Sequence, residues 1–446
     1  MYMAVNLNSK MYSQHNENKA AAKDTISEPF AWGDFTWMNG NDRRRKVLLQ
    51  NEYLTGRFLF DANYTASNNH PIDHTVVGST ALARDNEFQI SVAAIGADFH
   101  YDNVRASLLL QLGTRATVVP RNDYSLLHGQ FDLAAAYRYF SEANAGYHFD
   151  VWHGINIDIG LFMSYVGLFS YYNAENWSYQ PSFTSDNTPW FFNGIRIQAF
   201  PSDRFKIEIW LTNGWQSYAK YNNGLGLGCQ FLFNPEEWLS LLSNNYYGSD
   251  VEGLPDRIRF HTDNSIRIRY FEHKNNFITR GAFSVTQDIG FENGGGVSDF
   301  KGDNGPIQYF LSGMIYHRLW MANDHIGWTI GGGYINNPGR YLVLYPTGEA
   351  NPIPSINTGK TGSHPFSANP GDQFHGWDFS TTIDWMPNDF LTWRFEIVHR
   401  ETDVPYFAGP GGVTSPSGNN SLPDPDWIPD LVKSETRFIF AALIRF

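Results

Sequence analysis

Four stretches of the chain alternate apolar and polar residues with a period of two. In RIRFHTDNSIRIR (257–269) the odd positions are Arg257, Arg259, His261, Asp263, Ser265, Arg267 and Arg269, while the even ones include Ile258, Phe260, Ile266 and Ile268. In FKIEIWL, Phe205, Ile207, Ile209 and Leu211 alternate with Lys206 and Glu208. In FLTWRFEI, Leu391, Trp393, Phe395 and Ile397 alternate with Thr392, Arg394 and Glu396. In VRASLLLQL, Val104, Ala106, Leu108, Leu110 and Leu112 share one face, and Arg105, Ser107 and Gln111 the other. This period belongs to strands with one apolar and one polar face.

Extending the pattern predicts strands at 52–64, 87–101, 103–113, 129–147, 152–163, 188–200, 204–213, 223–233, 237–248, 256–272, 276–290, 306–320, 324–336, 374–386, 389–400 and 434–446, about sixteen in all. The periodicity of 237–248 is ambiguous. Short connections (102, 148–151, 201–203, 234–236, 273–275, 321–323, 387–388) alternate with long ones (65–86, 114–128, 164–187, 214–222, 249–255, 291–305, 337–373, 401–433). That rule belongs to an antiparallel outer-membrane barrel with tight periplasmic turns and long external loops. A soluble sandwich of this length would need several cores and follows no such loop rule, and a propeller would show a blade-length repeat. The predicted fold is therefore all-β: a transmembrane antiparallel barrel over 31–446, with 1–30 as a flexible periplasmic tail.

The chain ends on a strictly alternating strand whose last residue is aromatic. Phe438, Phe440, Ala442, Ile444 and Phe446 are expected to face hydrocarbon, because an open edge cannot exist in lipid and the last strand must pair with the first. Phe438, Phe440 and Phe446 resemble the C-terminal signal that such barrels present to their insertion machinery.

Composition fits this reading. Charged residues are only 17% and aromatics 16% of 446 residues, and no apolar run reaches the length of a membrane helix. A barrel hides its membrane character, since every second residue faces water. A net charge of −13 argues against a nucleic-acid partner. The single cysteine, Cys229, allows no disulfide framework and no cysteine metal site. Residues 1–14 lack the apolar run of a signal peptide, so for an exported protein the numbering is expected to start after cleavage or at a misassigned start codon.

Residues 155–218 and their flanks are the most distinctive part of the chain. Gly160–Phe162 ends a strand, Glu175–Trp177 lies in an acidic, aromatic loop, Pro189–Trp190 starts the next strand, and Asn213–Gly214–Trp215 closes the hairpin. With FTWMNGNDRRRK (35–46) and NPGRYLVLYP (337–346), this pattern resembles the OmpL-like family of outer-membrane β-barrel porins. The resemblance covers most of the chain from about residue 30. It implies a Gram-negative outer membrane, a lipid and lipopolysaccharide environment, and passive passage of small hydrophilic solutes.

About sixteen strands leave an aqueous lumen. Strand parity assigns to it the basic residues Arg57, Arg105, Arg138, Arg196, Lys206, Arg257, Arg259, Arg267, Arg269, Arg280, Arg318, Arg394, Arg400, Arg437 and Arg445. The acidic candidates are fewer: Asp61, Asp132, Asp158, Glu208, Asp263, Asp288, Asp378, Asp384 and Glu396. A wall leaning basic predicts a modest anion preference. Loop 164–187 is expected to fold inward as a constriction, with Glu175, Trp177 and Asp186 facing that wall; the plainer alternative leaves these acids on the outer surface. Tyr171, Tyr172, Trp177, Tyr179 and Trp190 could stack on sugar rings, though an interfacial belt or loop packing explains them equally.

Catalytic, metal and cofactor motifs are not found. There is no His-Glu-Xaa-Xaa-His, Gly-Xaa-Ser-Xaa-Gly or Cys-Xaa-Xaa-Cys. TGKT (358–361) follows Pro354 where a phosphate loop needs glycine. The glycines of GLGLG (224–228) are expected to make room on the inward face for a neighbouring side chain or loop. Two further readings stay open: a plugged barrel that binds a partner or surface component through loops 337–373 and 401–433, and a barrel enzyme. A homo-oligomer is a further expected partner, as porins of this size are often trimers. No interface is legible, since the apolar faces show only lipid-compatible residues.

Overall fold

A computed structural model describes residues 28–123, 129–303, 305–340, 344, 346, 366, 369–415 and 428–446. Sixteen strands close into one antiparallel barrel. They are β1 Leu54–Ser67, β2 Glu87–Tyr101, β3 Val104–Leu112, β4 Phe140–Phe149, β5 Ile155–Met163, β6 Phe191–Ser202, β7 Phe205–Thr212, β8 Gly226–Glu236, β9 Leu239–Gly248, β10 Ile258–Glu272, β11 Ile278–Asn293, β12 Tyr309–Met321, β13 Ile326–Asn336, β14 His375–Asn388, β15 Leu391–Thr402 and a closing strand, Ser434–Arg445. Each pairs with its sequence neighbours, and the closing strand pairs with β1 from Leu59↔Arg445 to Ser67↔Arg437. The strand at 237–248, ambiguous in sequence, is β9.

Burial is inverted relative to a soluble protein. On the closing strand Phe438 and Phe440 are 44% and 48% exposed, while Arg437 is fully buried. The outward faces carry the apolar half of each alternation, which lipid would cover. Trp393 stacks on Phe440 across the last pair of strands, ring centroids 5.6 Å apart, a cross-strand contact of the kind that stabilises sheets. Phe446 ends the seam. Its N–H donates to the Phe58 carbonyl at 2.8 Å, and its ring lies 6.0 Å from Phe58 and 5.7 Å from Phe390.

The inter-strand turns are tight on one side. The turn after β12 places Ala322, Asn323 and Asp324 in succession at positive φ, a conformation that Asn and Asp tolerate better than most residues. One predicted strand is corrected. The segment 129–147 is not extended throughout: Leu133–Tyr137 is a helix, and β4 begins at Phe140. Asp132 caps the helix by accepting from the Ala135 N–H at 2.8 Å, and the alanines that follow favour helix over strand. Arg138 therefore sits at the helix C-cap, and neither it nor Asp132 is a wall residue.

The outward faces are also not uniformly apolar. Register aligns Ser243 with Asn264, Asn264 with Gln287, and Gln287 with Gly313 in one row across β9–β12. Of the long loops, 337–373 and 401–433 are described only in part, and TGKT and residues 1–27 lie outside the described residues.

Candidate functional site: the filled lumen

Two segments enter the barrel from opposite ends. The first is the stretch 28–46, which precedes β1 and is laced across the mouth formed by the short turns. The Phe30 N–H donates to Asp203 between β6 and β7 at 2.7 Å. Trp37 Nε1 donates to the Glu237 carbonyl between β8 and β9 at 3.0 Å. Asp34 meets Arg280 at 3.4 Å. Arg43 donates to the Asn388 and Leu391 carbonyls at 2.8 and 2.6 Å. Arg445 holds Asp42 at 2.8 Å. Burial favours the protonated form of Asp42, but Arg445 and Arg44 outweigh it and hold the carboxyl below its ordinary range. Phe30, Phe35, Trp37 and Met38 are buried, so this strap is packed rather than draped.

The second segment is the loop from Ser164 to Trp190. Asn176 closes a local ring, accepting from the Ser170 N–H at 2.8 Å and donating to the Ser170 carbonyl at 2.7 Å. The loop then reaches around the wall. Tyr171 donates to Gln111 at 2.9 Å, Tyr172 to Glu142 at 2.8 Å and Tyr179 to Asp61 at 2.7 Å. The Tyr165 hydroxyl donates to the Asn245 carbonyl at 2.9 Å, passing over Gly228, where an added Cβ would collide with it. Glu396 accepts the Tyr179 and Gln180 N–H groups at 2.6 and 2.9 Å. Asp378 accepts from the Ser182 hydroxyl and the Phe183 N–H at 2.8 and 2.9 Å. Loop and strap meet in the lumen: the Trp177 N–H donates to Asn39 Oδ1 at 2.7 Å, and Trp177 Nε1 to the Trp37 carbonyl at 3.0 Å.

Most of the expected wall residues occupy the lumen side, and most are paired. Glu175 contacts Arg445, and Asp186 lies 3.0 Å from Arg400. Arg57 meets Glu142 at 2.7 Å and Asp98 at 3.4 Å. Arg105 and Arg196 share Asp158 at 3.2 and 2.7 Å, and Lys206 meets Glu208 at 2.6 Å. Arg259 meets Glu292 at 2.7 Å, and Arg269 meets Glu272 at 3.1 Å. Arg318 and Arg394 share Asp384 at 2.8 and 2.6 Å. Arg394 also donates to the carbonyls of Asn173, Asn176 and Ser178 at 3.1, 2.6 and 2.9 Å. Arg267 donates to the Asn39 carbonyl at 3.1 Å and Arg257 to that of Gly295 at 2.8 Å.

Asp98, Glu142 and Glu292 were missed by strand parity. Ser91 is an extra residue in β2 and Ser141 in β4; each bulge switches which parity faces inward. Glu292 lies beyond the predicted end of its strand. The wall is therefore less basic than parity suggested. The aromatic residues expected to stack on sugars are themselves buried: Tyr171 packs edge-on to Tyr172 and Trp190, and Trp177 to Trp320. Among the described residues no group of three or more His, Cys, Asp or Glu side chains could hold a metal.

A family model described as "Putative beta-barrel porin-2, OmpL-like" matches residues 54–446. No curated protein matches the chain. Among solved structures it is similar to an anion-selective porin from Comamonas acidovorans, at 9% identity and TM-score 0.50, covering 88% of this chain and 99% of that one. It is also similar to the outer membrane channel DcaP of Acinetobacter baumannii, at 8% identity and TM-score 0.50, covering 88% and 97%. At this identity the likeness is one of fold.

Proposed function

The chain belongs to the OmpL-like β-barrel porin family of the Gram-negative outer membrane, and on that premise we propose that it is a passive channel for small hydrophilic solutes or ions. Its path runs between the wall and the column built by the strap and loop 164–187. The observation that carries this reading is the polar lining of that column, where Tyr, Gln and Ser hydrogen bonds alternate with paired Arg and acid side chains. Such a lining replaces part of a permeant's hydration without binding it tightly. Arg residues set a modest anion preference, and Glu175, Trp177 and Asp186 sit at the constriction. Lipopolysaccharide, bridged to acidic external loops by divalent cations, and the barrel-insertion machinery are its expected partners.

A second reading, a plugged barrel that anchors a surface component through its long loops, draws support from a different observation. Arg400 and Arg437 are fully buried, which an open aqueous wall would not require. Single-channel recording in a planar bilayer under a salt gradient separates the two. Stable open steps with an anion-leaning reversal potential support the channel and its Arg wall. A cation-leaning reversal keeps the channel and removes the charge assignment. A folded but silent protein favours the anchor.

A further inference from the structure

Arg115 opens the short helix Arg115–Val118 that follows β3. The residue is buried. Its guanidinium lies against two rings of the inward loop, 4.3 Å from the centre of Tyr171 and 5.0 Å from that of Trp190. Ring faces attract the cation but leave its N–H groups unspent. Nη1 donates to the Asn173 side-chain oxygen at 2.9 Å. Asn173 in turn donates to Asp61 at 2.8 Å, so a neutral amide stands between this arginine and that carboxylate.

The other edge of the guanidinium, Nε with Nη2, is the parallel fork with which arginine grips a carboxylate. Arg394 applies it to Asp384 at 2.6 and 2.9 Å, and Arg259 applies it to Glu292 at 3.1 and 2.7 Å. In Arg115 both nitrogens are buried and neither makes a hydrogen bond. Among the described residues it is the one buried arginine whose fork has neither hydrogen bond nor ion pair. The Tyr171 hydroxyl lies beside the guanidinium, but it is neutral and gives its proton to Gln111 at 2.9 Å. Buried donors left unpaired are costly, and the neighbouring Trp190 Nε1 and Thr114 hydroxyl are also without partners. The backbone of Trp190 is fixed, its N–H on Gln216 at 2.7 Å and its carbonyl accepting from Ser164 at 2.9 Å. Its indole, in contrast, can turn aside without breaking a hydrogen bond.

We propose that the Nε/Nη2 fork of Arg115 is a seat for the carboxylate of a small organic acid, with the Trp190 ring as its door. Two parallel N–H groups match the two oxygens of a carboxylate, where chloride offers a single atom. The proposal rests on the channel reading for how the acid arrives, but binding itself needs no conduction.

The test is saturation-transfer NMR on folded, full-length protein in detergent micelles, with succinate as the probe and ionic strength held constant with chloride. Heat-modifiable migration serves as the check of folding. Wild type is expected to give a saturable signal. Arg115→Gln should weaken binding roughly tenfold or more, since hydrogen bonds made by a charged group are lost. Arg115→Lys keeps the charge but not the fork and should weaken it likewise, which covers the case of a first variant that fails to fold. Arg84→Gln removes the same charge from an arginine already paired with Glu87 at 2.8 Å and should leave the signal unchanged. No saturable signal from folded wild type overturns the proposal, as does a signal that survives in either Arg115 variant. A barrel that binds succinate yet stays silent in a planar bilayer removes the channel reading and keeps the seat; conduction without binding does the reverse.

Discussion

The backbone N–H of Trp177 donates to Oδ1 of Asn39 at 2.7 Å, tying a loop of the external side to a strap laced through the periplasmic mouth. A buried bond of this kind contributes about 1 kcal/mol, and more is lost when one partner is left unsatisfied. Asn39→Ala should loosen the junction. The expected result is a channel with larger or noisier conductance steps than wild type, roughly twofold or more. Unchanged traces would remove the strap from the conducting path.

Asp384 carries two arginines, Arg318 and Arg394, at 2.8 and 2.6 Å. Removing one partner of a buried ion pair leaves uncompensated charge and typically costs about 3–5 kcal/mol. Asp384→Asn should lower the urea midpoint of the folded barrel by a margin of that order, read by tryptophan fluorescence. A change below about 1 kcal/mol would mean that water reaches this site.

Gly228 underlies Tyr165. Gly228→Ala places a methyl group against the tyrosine hydroxyl, so the loop must shift. The variant should lose stability by roughly 1–3 kcal/mol, as overpacking does. Combining it with Tyr165→Ala should cost less than the sum of the two single changes, because the hydroxyl and the ring carbons Cζ and Cε1 that the methyl group meets are all gone. Strict additivity would place the strain elsewhere.

Asp73 clamps two external loops by accepting the N–H groups of Val413 and Thr414 at 2.9 and 2.7 Å. Burial raises its pKa, but these bonds and those from Thr75 and the Thr414 hydroxyl prevail, holding it below the ordinary 3.8. A depressed carboxyl contributes stability that is full above 3.8 and lost as pH falls through the lower folded value. Protease nicking near Thr414 should therefore accelerate below about pH 4 in wild type. In Asp73→Asn it should already be fast at neutral pH and nearly flat with pH.

The barrel itself was legible because period-two patterning needs only one residue type per face. The Arg row of β10 and the Phe row of the closing strand follow directly from it. Parity failed where the chain inserts a residue, as at Ser91 and Ser141, since a bulge has no composition of its own. It failed again at Leu133–Tyr137, where alanines behind an aspartate prefer a helix. Parity put Asp384 and Arg394 on the same face, but the other three partners of Arg394 could not be read at all, being backbone carbonyls, which every residue possesses. The strap was invisible for a related reason. Its aromatic residues follow neither period, and they are ordered by turns that lie hundreds of residues away. The polar row of β9–β12 was visible only as two missing hydrophobes, Thr262 and Asn264, until register aligned them with Ser243 and Gln287.

The strap touches turns from both halves of the barrel, from Asp203 to Asn388, and finally Arg445 one residue before the end of the described chain. Its binding site is therefore assembled from hairpins that are synthesised long after it. Until the seam at Phe446 closes, Phe35, Trp37 and Met38 have no pocket to enter. A segment that precedes every strand in the chain is thus obliged to be the last to settle. Its docking marks completion, so protection of these aromatic residues would report a finished barrel where strand content alone would not.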